Sequence, residues 1–169
     1  MTGNNDALIK KDRLRFTKNK LSSNLTLLAI LINALYFVCI YQSDVGSYYY
    51  QYIIGISVVY NLLFMLIAFL SSEGVKSYKL NYSYVLVLLG IGQIIRIFIL
   101  PMDAINTTIT LSGEEEVVMA SGQFTLICIY LIASAVLCII AGIIAYMKTR
   151  TLTAYQAELD QKKAKGVQA

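Results

Sequence analysis

The sequence predicts an all-α integral membrane protein with four transmembrane helices in an up-down bundle and both termini in the cytoplasm. Three observations lead to this fold class: the composition, the length of the apolar runs and the one-sided distribution of basic residues. Of 169 residues, 57% are hydrophobic and only 14% are charged, whereas a soluble domain usually carries about 25% charged residues. The single proline is typical of long unbroken helices with few turns.

The hydrophobic residues are concentrated in four runs, and these runs define the predicted spans. Each run is long enough to cross a ~30 Å hydrocarbon layer at ~1.5 Å per residue. None contains Asp, Glu or Lys, so the runs lack the polar face that a soluble helix shows at every turn. Because backbone groups in lipid have to bond to one another, the runs are expected to be helices. The predicted spans are residues 21–41, 50–70, 82–100 and 124–147.

Basic residues predict which side of the membrane each connecting segment faces. All but one of the 14 Lys and Arg residues lie in the N-terminal segment, in the loop between spans two and three, or in the C-terminal tail. The two remaining loops, including the long loop 101–123, carry acidic residues and no basic ones. The positive-inside rule therefore places both termini in the cytoplasm and the acidic loops outside. The exception is Arg96, which lies within the third span.

The chain is predicted to form one domain with short segments on either side of it. In the long outer loop, the β-branched stretch 105–111 predicts a short extended segment. Ser112 and Glu115 match a helix cap with an acidic first turn, so the fourth helix is predicted to begin near Gly113. The tail is expected to be helical at first and then to fray. The predicted segments are a basic N-terminal segment 1–20, a transmembrane domain 21–147 and a basic tail 148–169.

Two asparagines inside the spans are candidate site residues. Asn33 and Asn61 lie near the middle of the first and second spans, and the antiparallel directions of these spans bring both amides to similar depth. Amides in lipid bond to one another or to a backbone carbonyl, and each such contact contributes about 0.6–2 kcal/mol. Bonding between helices is the expected role. The alternative is that the two amides together bind a small polar solute.

Arg96 is predicted to lie about one helical turn below the outer end of the third span. One interpretation is that its long side chain reaches outward to water or lipid phosphate. Another is an ion pair with an acidic residue of an outer loop or of a partner protein, with Asp103 as the candidate. Gln93 lies one turn deeper on the same helix face. The polar strip of Gln93 and Arg96 favours a side that faces protein or a cavity rather than lipid.

Several kinds of chemistry lack their usual residues in this chain. Without histidine, imidazole-based catalysis, metal binding and haem ligation are excluded. The three cysteines form no CxxC motif, and no carboxylate lies in a span where a proton relay would need one. We therefore expect no catalytic residue, no cofactor and no metal. The expected partners are membrane lipids, which the basic ends attract, and another membrane protein, with no nucleic acid.

The preferred functional prediction is a non-catalytic accessory or assembly subunit that packs against a larger membrane complex such as a transporter. The main alternative is a small homo-oligomeric transporter or channel for a polar solute, with a path lined by Asn33, Asn61, Gln93 and Arg96. A second alternative is a lipid-acting membrane enzyme, for which we find no nucleophile or base. Few prolines, no tryptophan and many Ile, Lys, Asn and Tyr residues are typical of a bacterium of low genomic GC content. The expected location is therefore a bacterial plasma (inner) membrane.

Overall fold

The computed structural model describes residues 9, 12–41, 51–111 and 114–166. Within this part of the chain, four helices are long and apolar enough to cross a membrane. A short helix and a two-stranded antiparallel sheet lie between the third and the fourth of them. The elements are α1 (Lys20–Tyr41), α2 (Gln51–Lys76), α3 (Leu80–Ile97), α4 (Pro101–Asn106), β1 (Thr108–Leu111), β2 (Glu114–Val117) and α5 (Ser121–Gly166).

The four long helices match the predicted spans in number and order, and they differ from them in length. Helix α2 continues beyond the predicted end of its span to Lys76. Helix α3 ends at Ile97, and a turn leads from it into Pro101 at the start of α4. Helix α5 contains 46 residues, and at ~1.5 Å per residue it is roughly 70 Å long, about twice the ~30 Å hydrocarbon layer. The tail is thus helical as far as Gly166.

Close contacts between α3 and α5 depend on small residues. A Cβ atom on Gly90 would lie 2.6 Å from Cγ1 of Ile139 and 2.9 Å from the carbonyl oxygen of Ala135. Further along the same contact, a Cβ atom on Gly142 would lie 2.9 Å from the carbonyl oxygen of Ser83. Small residues let helix backbones approach closely, which is the main source of packing energy between helices in lipid. These glycines therefore set how α3 is rotated against α5.

Hydroxyl groups connect α1 to its two neighbours. The Oγ atoms of Ser23 in α1 and Ser72 in α2 are 2.8 Å apart and share a hydrogen bond. Ser134 of α5 donates to the carbonyl oxygen of Ala29 in α1 at 3.0 Å. These side chains are buried, and in lipid a buried hydroxyl needs such a partner. Helix α1 is thus held between α2 and α5.

Helix α4 and the residues after β2 cover one end of the bundle, which we call the hairpin end. Leu100, Ala104 and Met119 are buried there against Tyr36 of α1 and Ile127 of α5. The opposite end, which we call the termini end, contains a helical segment at residues 12–16 and the last turns of α5. Packing at the hairpin end determines where α4 sits above α3, and this position shapes the site described below.

The structure corrects the predicted start of the fourth helix. Residues Glu114–Val117 form strand β2 rather than the first turn of a helix beginning near Gly113, and α5 begins at Ser121. Strand β2 pairs antiparallel with β1, with Leu111 opposite Glu114. An extended segment was predicted for 105–111. Thr108–Leu111 is extended as predicted, whereas Ile105 and Asn106 are the last residues of helix α4. A single strand leaves its backbone hydrogen-bonding groups without partners. Strand β1 therefore needs β2, which was not predicted from the sequence.

Candidate functional site

A continuous set of side-chain hydrogen bonds joins α1, α2 and α3 inside the bundle. The amide of Asn33 donates from Nδ2 to Oδ1 of Asn61 at 2.9 Å. Gln93 donates from Nε2 to Oδ1 of Asn33 at 3.0 Å, and Arg96 donates from Nη1 to Oδ1 of Asn61 at 2.9 Å. We call these four residues the polar network. The structure thus brings together the four residues that the sequence singled out.

The positions of these residues follow from helix periodicity. Helix α3 has a buried face on which Leu86, Gly90, Gln93 and Arg96 follow one another in steps of three or four residues. Asn33 lies on the buried face of α1. Exposed fractions are 0% for Asn33 and Gln93, 1% for Asn61 and 5% for Arg96. All four side chains therefore lie inside the bundle rather than on its lipid-facing surface.

Arg96 turns towards the interior of the bundle instead of reaching outward. Its guanidinium bonds to Asn61, near the middle of α2, and Nη2 lies 3.5 Å from Oγ of Ser57. Side chains on a helix lean towards the helix N-terminus, and for α3 this direction leads from Arg96 towards Gln93 and the rest of the network. A side chain that reached outward would have to bend against this direction. The structure therefore does not show the outward-reaching arrangement.

Two tyrosines surround the guanidinium. Cζ of Arg96 lies 4.3 Å from the ring centroid of Tyr36 in α1 and 4.9 Å from that of Tyr60 in α2. A cation over an aromatic ring is stabilised by about 2 kcal/mol or more when water is excluded. These tyrosines were not among the site residues predicted from the sequence. Their positions, one turn after Asn33 and directly before Asn61, were the signal that could have identified them.

The charge of Arg96 is not balanced by an ion pair in the part of the chain that the structure describes. The ion pairs there are Arg15–Asp12 and Lys76–Glu73. Asp103 lies near the hairpin end and lines the same cleft as Arg96. An ion pair between Arg96 and Asp103 thus stays a prediction.

A cleft of about 550 Å³ lies between α2 and α3 beside the polar network. We call it the Arg96 cleft. Of its apolar lining residues, Ile56, Ile95 and Ile99 are each more than half exposed, so the cleft opens onto the surface that faces lipid. Leu100 and Arg96 form the deeper, buried part of its wall. The lining residues are Ile56, Ser57, Tyr60, Gly92, Ile95, Arg96, Ile99, Leu100 and Asp103.

The chemistry available at this site is hydrogen bonding and charge recognition. The cleft brings together a guanidinium, a serine hydroxyl, a tyrosine ring and one carboxylate. Among the described residues, no three His, Cys, Asp or Glu side chains lie close enough to hold a metal ion. The arrangement suits a ligand with a negatively charged group and an apolar portion.

Comparison with protein-family models, with curated proteins and with solved structures found no match for this chain. Its function therefore has to be inferred from its own residues and their geometry.

Proposed function

We propose that this chain is a non-catalytic four-span membrane protein that packs as an accessory or assembly subunit against a larger membrane complex such as a transporter. The observation that supports this proposal best is the formation of the polar network within one chain. Asn33, Asn61, Gln93 and Arg96 bond to one another, so they stabilise the chain's own bundle. A path for a polar solute would need all four groups to face an opening, whereas of the four only Arg96 lines the cleft, and this supports the transporter alternative less well.

The membrane topology that accompanies this proposal is an up-down bundle in a bacterial plasma (inner) membrane, with both termini in the cytoplasm. Two contacts between α1 and α2 support the up-down arrangement. Ser23, early in α1, bonds to Ser72, late in α2, while Asn33 further along α1 bonds to Asn61 earlier in α2. The orientation is supported by the basic residues at the termini end and the acidic residues at the hairpin end.

The termini end offers a polar surface that a partner protein could use. The hydroxyl of Tyr155 in α5 lies 3.5 Å from Oδ1 of Asp12, and Nζ of Lys148 donates to Oδ1 of Asn19 at 3.1 Å. The segment before α1 is therefore folded against the extension of α5 beyond its apolar part. Such an extension does not help the chain to span the membrane, which supports a role in contacting another protein on this side.

Purification in a mild detergent, followed by determination of the mass of the intact complex, tests the proposal. The chain carries an affinity tag at its C-terminus and is expressed at its native level in its own membrane. We expect a second membrane protein at constant stoichiometry. A homogeneous self-oligomer without a partner would contradict the subunit proposal. Flux of a polar solute in vesicles that contain only this protein would favour the transporter instead.

Two pairs of surface substitutions distinguish a specific contact at the termini end from non-specific association. Gln156 and Asp160 lie on the exposed surface of the α5 extension beside Arg15. Changing both to Trp should reduce the amount of partner recovered if this surface makes the contact. The same change at Ile129 and Ile132, two exposed residues in the apolar part of α5, serves as the control and should leave recovery unchanged. Equal recovery with both pairs would remove this surface from the proposal.

A further inference from the structure

We propose that the Arg96 cleft binds one phospholipid from the leaflet at the hairpin end, with the lipid phosphate on the Arg96 guanidinium and an acyl chain along the apolar wall of the cleft. The headgroup we expect is zwitterionic, with an ammonium group as in phosphatidylethanolamine. This inference goes beyond the subunit role and does not depend on it. It assigns a ligand class to a site that the bundle itself does not fill.

The charge of Arg96 lacks an ion-pair partner among the described residues. Only 5% of the residue is exposed, and neither ion pair in the described part of the chain includes it. Hydrogen bonds to Asn61 and Ser57 and two aromatic rings stabilise it in part. Removing a charge from water without an opposite charge remains costly. A phosphate beside the free side of the guanidinium would supply that charge through bidentate hydrogen bonds.

The shape of the cleft supports a lipid as its occupant. Its volume of about 550 Å³ lies within the range of about 300–1,000 Å³ that is usual for ligand sites. The floor next to Arg96 is kept open by Gly92, where a Cβ atom would lie 3.0 Å from the hydroxyl of Tyr60. Four of the nine lining residues are isoleucine or leucine, and the polar ones include Arg96 and Asp103. A few polar groups beside an apolar wall match a molecule with a charged head and a hydrocarbon chain.

The position of the cleft opening identifies the source of the ligand. The outer edges of the cleft are formed by Ile56, Ile95 and Ile99, whose exposed fractions are 70%, 56% and 65%. In a membrane these side chains contact acyl chains, so the cleft is reached from the bilayer. A soluble anion would instead have to cross this apolar edge without its water shell. A lipid of the neighbouring leaflet is therefore the occupant that the geometry favours.

The charges along the cleft favour a zwitterionic headgroup. Asp103 lines the cleft on the side of α4, closer to the hairpin end than Arg96. The site therefore carries positive charge at depth and negative charge near its rim. In a zwitterionic phospholipid the phosphate lies deeper than the ammonium, which is the same order of charges. Phosphatidylglycerol carries the same phosphate but a neutral glycerol in place of the ammonium, so it would lack the attraction to Asp103.

Lipid retention by the purified protein tests this inference. The full chain is reconstituted in vesicles of equal phosphatidylethanolamine and phosphatidylglycerol, extracted in mild detergent, and weighed by native mass spectrometry. We expect one retained phosphatidylethanolamine per chain. Ile99→Trp places a large ring in the cleft without replacing a residue of the polar network and should weaken retention about tenfold or more. Phe98→Trp places the same ring on an equally exposed neighbour that does not line the cleft, and it should retain lipid as the unmodified chain does.

Two charge variants test the headgroup assignment. Arg96→Gln should reduce retention of both lipids about tenfold or more, because a charge-assisted hydrogen bond is lost. Asp103→Asn should keep retention and remove the preference for phosphatidylethanolamine. Arg96→Gln also removes a hydrogen bond within the bundle. If this variant does not fold, the comparison of Ile99→Trp with Phe98→Trp decides the test. Equal retention by Ile99→Trp and Phe98→Trp would overturn the site, and a preference of the unmodified chain for phosphatidylglycerol would overturn the zwitterionic headgroup.

Discussion

Replacement of Asn61 by leucine is the sharpest test of the polar network. Its Oδ1 accepts two hydrogen bonds, one from Asn33 and one from Arg96, at 2.9 Å each. Leucine has a similar volume and no acceptor, so Asn61→Leu leaves an amide donor and a charged donor without their partner inside the bundle. Both donors are almost completely buried, and water has little access to replace the lost acceptor.

The expected loss of stability follows from these two bonds. A hydrogen bond between amides in a membrane protein contributes about 0.6 kcal/mol on average and about 1.7 kcal/mol at most. A bond from a charged group contributes about 1.5–3 kcal/mol. The sum predicts that Asn61→Leu lowers the free energy of unfolding by about 2–5 kcal/mol. Asn24→Leu removes an exposed amide from α1 and should change it by less than about 0.5 kcal/mol.

The buried thiol of Cys138 provides the assay. This residue is 0% exposed in α5, so a thiol reagent reaches it after the bundle opens. With Cys39 and Cys128 replaced by alanine, the labelled fraction is measured in mixed micelles as a denaturing detergent is increased. The midpoint and slope of this curve give the free energy of unfolding. Asn61→Leu should shift the midpoint to lower detergent, while Asn24→Leu should follow the unmodified chain.

A double-mutant cycle completes the test. Arg96→Met removes the charged donor, so Asn61→Leu should cost about 1.5–3 kcal/mol less in the Arg96→Met background than in the unmodified chain. The reasoning is refuted if Asn61→Leu is as stable as the Asn24→Leu control. It is also refuted if the two changes at Asn61 and Arg96 simply add.

Two further predictions concern helix packing and topology. Gly90→Ala should lower the free energy of unfolding by about 1–3 kcal/mol, because the added methyl group would overlap Ile139. The control Gly55→Ala, at a position with no atom within 4 Å, should not lower it. Equal effects of the two changes would contradict the close contact of α3 with α5. In a cysteine-free background, Asn106→Cys should react with an impermeant thiol reagent on intact cells. Gln161→Cys should react with it only after the cells are permeabilised. The reverse pattern would show that the predicted topology is inverted.

The sequence predicted the spans well because partitioning into lipid depends on the local composition of a run. The boundaries were less accurate where a helix continues into polar sequence, as α2 does to Lys76 and α5 does to Gly166. Hydropathy shows where a run of apolar residues ends, whereas the backbone hydrogen bonds of a helix can continue through polar residues beyond that point. The lengths of these extensions therefore required the structure.

The outer loop shows how one short pattern fits two structures. A serine followed by glycine and glutamates can cap a helix or connect two strands. A helix was predicted here, whereas in the structure Glu114–Val117 pairs with Thr108–Leu111. Pairing across the loop decides between the two, and it cannot be read from the four residues around Gly113 alone.

The amino-acid sequence by itself determined that four runs prefer lipid, that the basic residues gather at the termini end, and that Asn33 and Asn61 occur at matching depth. Each of these depends on residue type and on distance along the chain. Only the tertiary structure decided which groups Gln93 and Arg96 bond to and that Arg96 borders a cleft between α2 and α3. The direction of these side chains depends on how α3 is rotated about its axis, and the contacts of Gly90 and Gly142 with α5 set that rotation.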